Sequence, residues 1–255
     1  MRIALIGAGN LATQLGIVLV EKGHQVIQVY SRTEKSAKDL GVKLNCPYTS
    51  DLADIVSNAD LFIIAVTDDA IESILANVNF GDNLAVHTAG GVSMDIFNPY
   101  CRNFGVLYPL QTFSKEKRAD FNEIPVCIEA NSQGNLEVLK MLAGSISEKV
   151  QAMNSENRLQ IHLAAVFASN FVNHFYVISE ILLNEKHLDF DLLKPLIKEV
   201  ASKVALHSPE TVQTGPAIRN DKSVMNKHLE MLSSHPEWER LYQLISENIY
   251  NIHKQ

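Results

Sequence analysis

Along roughly the first 150 residues, short runs rich in β-branched and apolar residues alternate with stretches whose apolar positions recur every three or four residues. The runs predict strands at Arg2–Ile6, Gln25–Tyr30, Leu61–Ala65, Asn83–His87, Phe104–Tyr108 and Pro125–Glu129. Helices are predicted to start near Asn10, Glu34, Asp51, Asp69, Met94 and Gln133. Strands alternating with helices imply a mostly parallel sheet covered on both faces, and right-handed crossovers make it doubly wound.

After about Met153 the strand pattern stops, and the remaining periodic segments are helical: Ser155–Leu183, Asp191–His207, Lys222–Ser233 and Pro236–His253. The chain therefore divides into an α/β domain, residues 1–152, and an all-α domain, residues 153–255, with no flexible linker between them. The first of these helices is apolar nearly all round, which predicts enclosure by other helices or by a second subunit, with a homodimer as the simplest closed arrangement. Its Leu159–Leu183 stretch is long enough for a membrane span, but Asn170, Asn173, His174 and Glu180 would be costly in hydrocarbon, so a buried helix is expected. Pro236 suits a first helical turn, and Asp221 or Asn220 is placed to cap the helix before it. At the amino end Gly7, Gly9, Asn10 and Gln14 interrupt the apolar run, so strand, turn and helix are expected there rather than a signal peptide.

Composition narrows the function classes. Among 255 residues, 22 Lys and Arg against 29 Asp and Glu give a net charge of −7, and no basic run is present, which argues against a nucleic-acid partner. With 46% hydrophobic and 20% charged residues the chain is an ordinary globular one. Cys46, Cys101 and Cys127 are odd in number and widely spaced, fitting neither a disulfide framework nor a zinc site, so a reducing, cytoplasmic setting without a metal is expected.

Directly after the first strand stands Gly7-Ala8-Gly9-Asn10-Leu11-Ala12, matching the dinucleotide fingerprint G-x-G-x-x-G/A of a Rossmann fold. Gly7 permits a tight turn, Gly9 lets the backbone approach a pyrophosphate, and Ala12 allows close helix–strand packing. Gly7, Gly9, Asn10 and Leu11 are the expected pyrophosphate cradle, at a helix end whose N–H groups and dipole favour an anion. The second strand ends Ser31-Arg32-Thr33, where an NAD enzyme usually places a carboxylate. Guanidinium and hydroxyls suit a 2′-phosphate, so NADP(H) is the expected cofactor. The alternative is that Ser31 or Thr33 caps the next helix while Arg32 is solvated.

Ligands of open α/β sheets bind beyond the strand carboxyl ends. Val66, Thr67, His87 and Thr88 are accordingly expected beside the cofactor, while Asp68 or Asp69 reads as a helix cap. His87, Tyr108 and Gln111 are open to two readings, as polar groups facing a substrate or as hydrogen-bonded structural residues. In the helical half, His162, Asn170, Asn173 and His174 are polar positions on an otherwise apolar helix. Thr214 and Arg219, in the glycine–proline loop Thr214–Asp221, form either a substrate-carboxylate clamp or a turn followed by an N-cap.

Taken together, the Gly7–Ala12 turn, Ser31-Arg32-Thr33, His87-Thr88-Ala89-Gly90-Gly91, Tyr108-Pro109-Leu110-Gln111-Thr112 and the Thr214–Asp221 loop resemble the Rossmann-like oxidoreductases that carry a helical C-terminal domain of unknown function. These are distant relatives of pyrroline-5-carboxylate reductase and of deazaflavin-dependent NADP reductases. The resemblance covers essentially the whole chain. It implies a nucleotide-binding half, a dimerising helical half and an active site in the cleft between them. Gly215-Pro216-Ala217 is similar to a segment near the substrate in pyrroline-5-carboxylate reductase, although the surrounding spacing differs. The lysine that 6-phosphogluconate-type dehydrogenases place four residues before an asparagine is missing: Val166 and Ser169 stand four residues before Asn170 and Asn173.

The leading expectation is an NADP-dependent oxidoreductase that passes hydride between nicotinamide and a small C=O or C=N substrate. His162, His87 or a water would carry the proton, and Asn170, Thr214 and Arg219 would position the substrate. The alternatives are a non-catalytic NADP-binding redox sensor or scaffold, and hydride exchange with a flavin or deazaflavin partner.

Overall fold

A computed structural model describes residues 1–254. Eight strands form one sheet in the order β3-β2-β1-β4-β5-β6-β7-β8, namely β1 Arg2–Ile6, β2 Gln25–Tyr30, β3 Tyr48–Thr49, β4 Leu61–Ile64, β5 Leu84–His87, β6 Asn103–Pro109, β7 Val126–Ala130 and β8 Val150–Ala152. All neighbours run parallel except β6 and β7. The order turns back on itself between β1 and β4, which opens a crevice beyond their carboxyl ends.

Both sheet faces are covered, so successive residues of one strand serve two cores. Ile3 and Leu5 pack beneath α1 (Asn10–Glu21), α2 (Glu34–Leu44) and α4 (Gln133–Ile146). Ala4 and Ile6 pack beneath α3 (Asp68–Asn77) with Phe62 and Phe97. This is why the central strands read as unbroken apolar runs.

The alternation expected from the sequence is present, with corrections. Asp51 and Met94 do not begin α-helices; Leu52–Asp54 and Met94–Phe97 are short 3-10 turns capped by the side chains of Asp51 and Ser93. The edge strands β3 and β8 are two and three residues long, too short for a period of two to register. Neither Asp68 nor Asp69 caps α3: Thr67 holds that position without a side-chain bond, and both carboxylates lie inside the first turn, where the helix dipole favours them.

Two compact units are distinguished, Met1–Phe175 and the residues from Tyr176 onward. One helical rod spans the change, comprising α5 (Ser155–Ala165), a π-helical turn at Val166–Phe171 and α6 (Val172–Asn184). The second unit continues with α7 (Lys194–Leu206), α8 (Lys222–Met231) and α9 (Pro236–His253). Asp221 caps α8 by accepting from Val224 N, and Pro236 stands in the first turn of α9. His228 Nδ1 and Tyr242 Oη, 2.8 Å apart, tie α8 to α9.

The expected burial of the long helix fails within one chain. Of its apolar residues only Ile178 is buried, and Phe167, Phe171 and Ile181 are all exposed. By length and composition alone, Ser155–Asn184 could cross a membrane. Among the described residues of the second unit only Ile178, Ala217 and Leu232 are buried hydrophobics, so this unit has almost no core of its own.

Candidate functional site

The turn after β1 shows which glycines the chain itself requires. Gly7 has φ +126°, and a Cβ there would fall 2.1 Å from the carbonyl oxygen of Ala65, so both conformation and packing exclude a side chain. Gly9 is different: its φ of −75° suits any residue, and a Cβ would meet nothing within 4 Å. No packing within the chain explains this glycine, whereas close approach of a ligand to its backbone does. No side chain caps α1 and no acidic residue occupies its first turn, leaving its amide groups and positive dipole end for an anion. Ala12 is fully buried, as close helix–strand packing requires.

At the end of β2 the two readings of Ser31-Arg32-Thr33 coexist. Thr33 caps α2 by accepting from Ser36 N at 3.4 Å, and its hydroxyl donates to Ser36 Oγ at 2.8 Å. Arg32 is exposed, makes no ion pair among the described residues, and lines the same cavity as the glycine turn. The donor types therefore fit a 2′-phosphate, with Arg32 and Ser31 uncommitted by side chain.

That cavity, of about 1070 Å³, lies wholly within the first unit. One part is lined by Gly7, Gly9, Asn10, Leu11 and the Ser31–Thr33 segment, and another by Val66, Thr67 and Thr88. Tyr108, Gln111, His162, Ser169 and Asn170 complete its wall. At this size it reaches the top of the usual range for ligand clefts, ample for a dinucleotide and a small second molecule.

Its distinctive polar feature joins β6 to α5. Tyr108 Oη and His162 Nδ1 lie 3.1 Å apart, with the rings edge to face. Burial raises the phenol pKa, so Tyr108 stays protonated at neutral pH, and its Oη shares a hydrogen bond with His162 Nδ1. Asn170 and Ser169 come from the π-helical turn, a local widening of the helix often found at functional sites.

The remaining expected residues lie elsewhere. His87 is fully buried and is not on the cavity wall. Its Nδ1 accepts from Ala89 N at 3.2 Å, and its ring stacks on Phe97. Burial, reinforced by the charge of Arg158, lowers its pKa to about 4, so the ring is uncharged at neutral pH. Thr214 and Arg219 belong to the second unit and are not among the residues that line this cavity.

Sequence reading missed a buried support. Arg158, 1% exposed, is ion-paired with Glu129 and donates to the Val92 carbonyl. Ser155 Oγ donates to Glu129 Oε2 at 2.8 Å and accepts from Met94 N at 3.0 Å. This network fixes the first turn of α5, whose Arg158 stands one turn before His162. No local pattern could have revealed it, because Glu129 and Arg158 are distant in sequence and on different elements. Lys115, also on the cavity wall, was hidden in the polar stretch Ser114–Arg118, which reads as a solvated loop.

Residues 2–89 match the family described as NADP oxidoreductase coenzyme F420-dependent, and residues 124–249 match the domain of unknown function DUF2520. The "putative NADP oxidoreductase BF3122" from Bacteroides fragilis is 45% identical, with a TM-score of 0.94 and 98% of each chain covered. A 1-pyrroline-5-carboxylate reductase from Streptococcus pyogenes is 14% identical, with a TM-score of 0.65 and 98% of each chain covered. A reductive aminase from Aspergillus terreus, in complex with NADPH and ethyl levulinate, is 12% identical, with a TM-score of 0.73 over 98% of this chain and 94% of that one. At those two identities the likeness is one of fold. Among curated relatives, the glycerol-3-phosphate dehydrogenase [NAD(P)+] of Bacillus velezensis is 31% identical over 109 residues, and the match spans 37% of this chain and only 32% of that protein. The full-length match to the Bacteroides protein, with the two domain matches in the same order, shows that the chain belongs to the NADP oxidoreductases that join an F420-dependent-type Rossmann domain to a DUF2520 helical domain.

Proposed function

We propose that the chain is an NADP(H)-dependent reductase of small C=O or C=N substrates, working in the cavity of its first unit. The observation that carries the reading is one continuous wall holding both the bare glycine turn and the Tyr108–His162 pair. Gly7, Gly9, Asn10 and Leu11 would hold the pyrophosphate. Ser31 and Arg32 would hold the 2′-phosphate, with Thr33 fixing their helix, and Val66, Thr67 and Thr88 would flank the nucleotide. When bound, the nicotinamide supplies or takes the hydride.

The chain's own residues then handle the proton and the substrate. Tyr108 keeps its phenol proton on Oη and shares a hydrogen bond with the His162 ring, so the pair can pass a proton to a substrate oxygen or nitrogen. Asn170 and Ser169 offer an amide and a hydroxyl for orientation. The C=N option draws support from the reductive aminase and pyrroline-5-carboxylate reductase folds.

His162 and Asn170 belong to the helical half as read from the sequence, residues 153–255, yet pack within the first compact unit. Their recruitment supports treating residues 1–152 as the nucleotide half that this rod completes. The nearly coreless second unit and the exposed rod support a homodimer in which a second copy covers them. Free thiols at all three cysteines are compatible with a reducing, cytoplasmic setting.

The test is NADPH oxidation across a panel of imino acids, keto acids and aldehydes, alongside NADPH affinity by fluorescence. Turnover of at least one compound is expected, falling roughly 100-fold or more in Tyr108→Phe and His162→Ala while NADPH affinity persists. Equal turnover in the variants would reject the proton assignment.

A further inference from the structure

Helix α1 does more than present the glycine turn. Three polar residues along one of its sides, Asn10, Gln14 and Glu21, are all bound to the loop that follows β6. Asn10 Nδ2 donates to Phe113 O at 2.9 Å. Gln14 Nε2 donates to Ser114 O at 2.7 Å and Lys117 O at 3.1 Å, and its Oε1 accepts from Ala119 N at 3.2 Å. Glu21 pairs with Arg118 at 2.5 Å. Positions four and seven apart return to one side of a helix, so these three form a single rail.

Gln14 is the telling member. It is 3% exposed, and burying an amide costs free energy unless every bond is satisfied. All its hydrogen bonds go to loop main chain, so it fixes the course of the loop rather than the packing of the helix. Phe113 stacks on Phe121 and packs against the core, pinning the loop from its other side.

The loop held this way carries Gln111, Thr112 and Lys115 to the cavity wall. Lys115 directly follows the residues bound to the first two turns of α1, the helix whose amino end forms the glycine turn. Among the described residues, Lys115 and Arg32 are the only lysine or arginine side chains lining the cavity, and neither makes an ion pair, whereas the neighbouring Arg118 is paired with Glu21. An unpaired cation set on a cavity wall by a buried latch calls for an anionic ligand.

We propose that residues 110–119 are a strap completing the dinucleotide phosphate site, with Lys115 as its second cation beside Arg32 and Gln14 as the positioning residue. This rests on the NADP(H) reading above. Two phosphate groups could be the partner, the 2′-phosphate or the pyrophosphate, and the two nucleotides NADPH and NADH tell them apart.

The experiment is fluorescence titration of the full chain with NADPH and NADH at low and high salt. Lys115→Ala, an exposed change that leaves the latch intact, is expected to weaken NADPH binding about tenfold or more and to flatten its salt dependence. Lys115→Arg should retain most of the affinity, and Lys117→Ala, off the cavity wall, should match the parent. Loss confined to NADPH assigns Lys115 to the 2′-phosphate, and equal loss for both nucleotides assigns it to the pyrophosphate; either supports the strap. Parent-like affinity of Lys115→Ala for both nucleotides overturns it. A parent protein that binds no NADPH refutes the underlying reading instead. Gln14→Met tests the latch: its loss and that of Lys115→Ala should be non-additive in the double variant, and full additivity overturns the positioning role. Circular dichroism confirms that each variant is folded.

Discussion

Tyr108 and His162, 54 residues apart in sequence, meet with Oη and Nδ1 at 3.1 Å over the backbone of Gly90. A Cβ on Gly90 would lie 2.6 Å from His162 Nδ1 and 2.8 Å from Tyr108 Cζ, so the pair forms only because this position carries no side chain.

Gly90→Ala is therefore expected to push the two rings apart. Overpacking of this kind costs about 1–3 kcal/mol, measurable by urea unfolding, and turnover should fall at least as far as in Tyr108→Phe. Because the Tyr108 phenol pKa is raised by burial above its ordinary value of 10.0, the proton on Oη should persist up to that pH, and any alkaline loss of activity due to Tyr108 should lie above it. Tyr108→Phe should lack that limb of the pH–rate profile.

His87 should act on stability rather than on chemistry. Its folded pKa of about 4 lies below the ordinary 6.5, so the folded chain binds fewer protons than the unfolded one between those values. Stability is then complete above pH 6.5 and falls as pH drops toward 4, by about 3 kcal/mol in all. Urea unfolding across this range should show the slope in the parent and lose it in His87→Gln. A pH-independent parent would contradict the assignment.

Much of this was legible in the chain. The strands β1 and β2, the glycine turn and Pro236–His253 follow from apolar period, turn chemistry and capping, all of them local signals. The 3-10 turns at Leu52 and Met94 were not legible, because a side-chain cap and a few apolar positions look alike at the start of a long helix or of a single turn. In the site, Gly7 and Gly9 announce themselves through spacing. Tyr108 facing His162 is a product of topology, since β6 and α5 become neighbours only once the sheet is assembled. His87 shows the converse: its place at the end of β5 suggested a role at the rim, but its ring turns into the core against Phe97.

The Glu129–Arg158 pair should be among the most sensitive positions in the first unit. Removing one partner leaves the other charge buried, at a cost of about 3–5 kcal/mol. Arg158→Met alone should unfold at markedly lower urea, and combining it with Glu129→Leu should recover part of the loss. Additive losses in the double variant would show that the two charges do not compensate each other.

The exposed rod predicts self-association. Sedimentation equilibrium of the parent should give twice the mass of one chain, and replacing Phe167 and Phe171 with glutamate should shift it to the monomer. A parent that stays monomeric at tens of micromolar would count against a covering second copy.

The most direct measurement is a side-by-side titration of the parent and Arg32→Asp with NADPH and NADH. The parent should bind NADPH at least tenfold more tightly than NADH, and in Arg32→Asp that preference should vanish through loss of NADPH affinity alone. Equal affinity of the parent for the two nucleotides, or no binding of either, would contradict the account at its root.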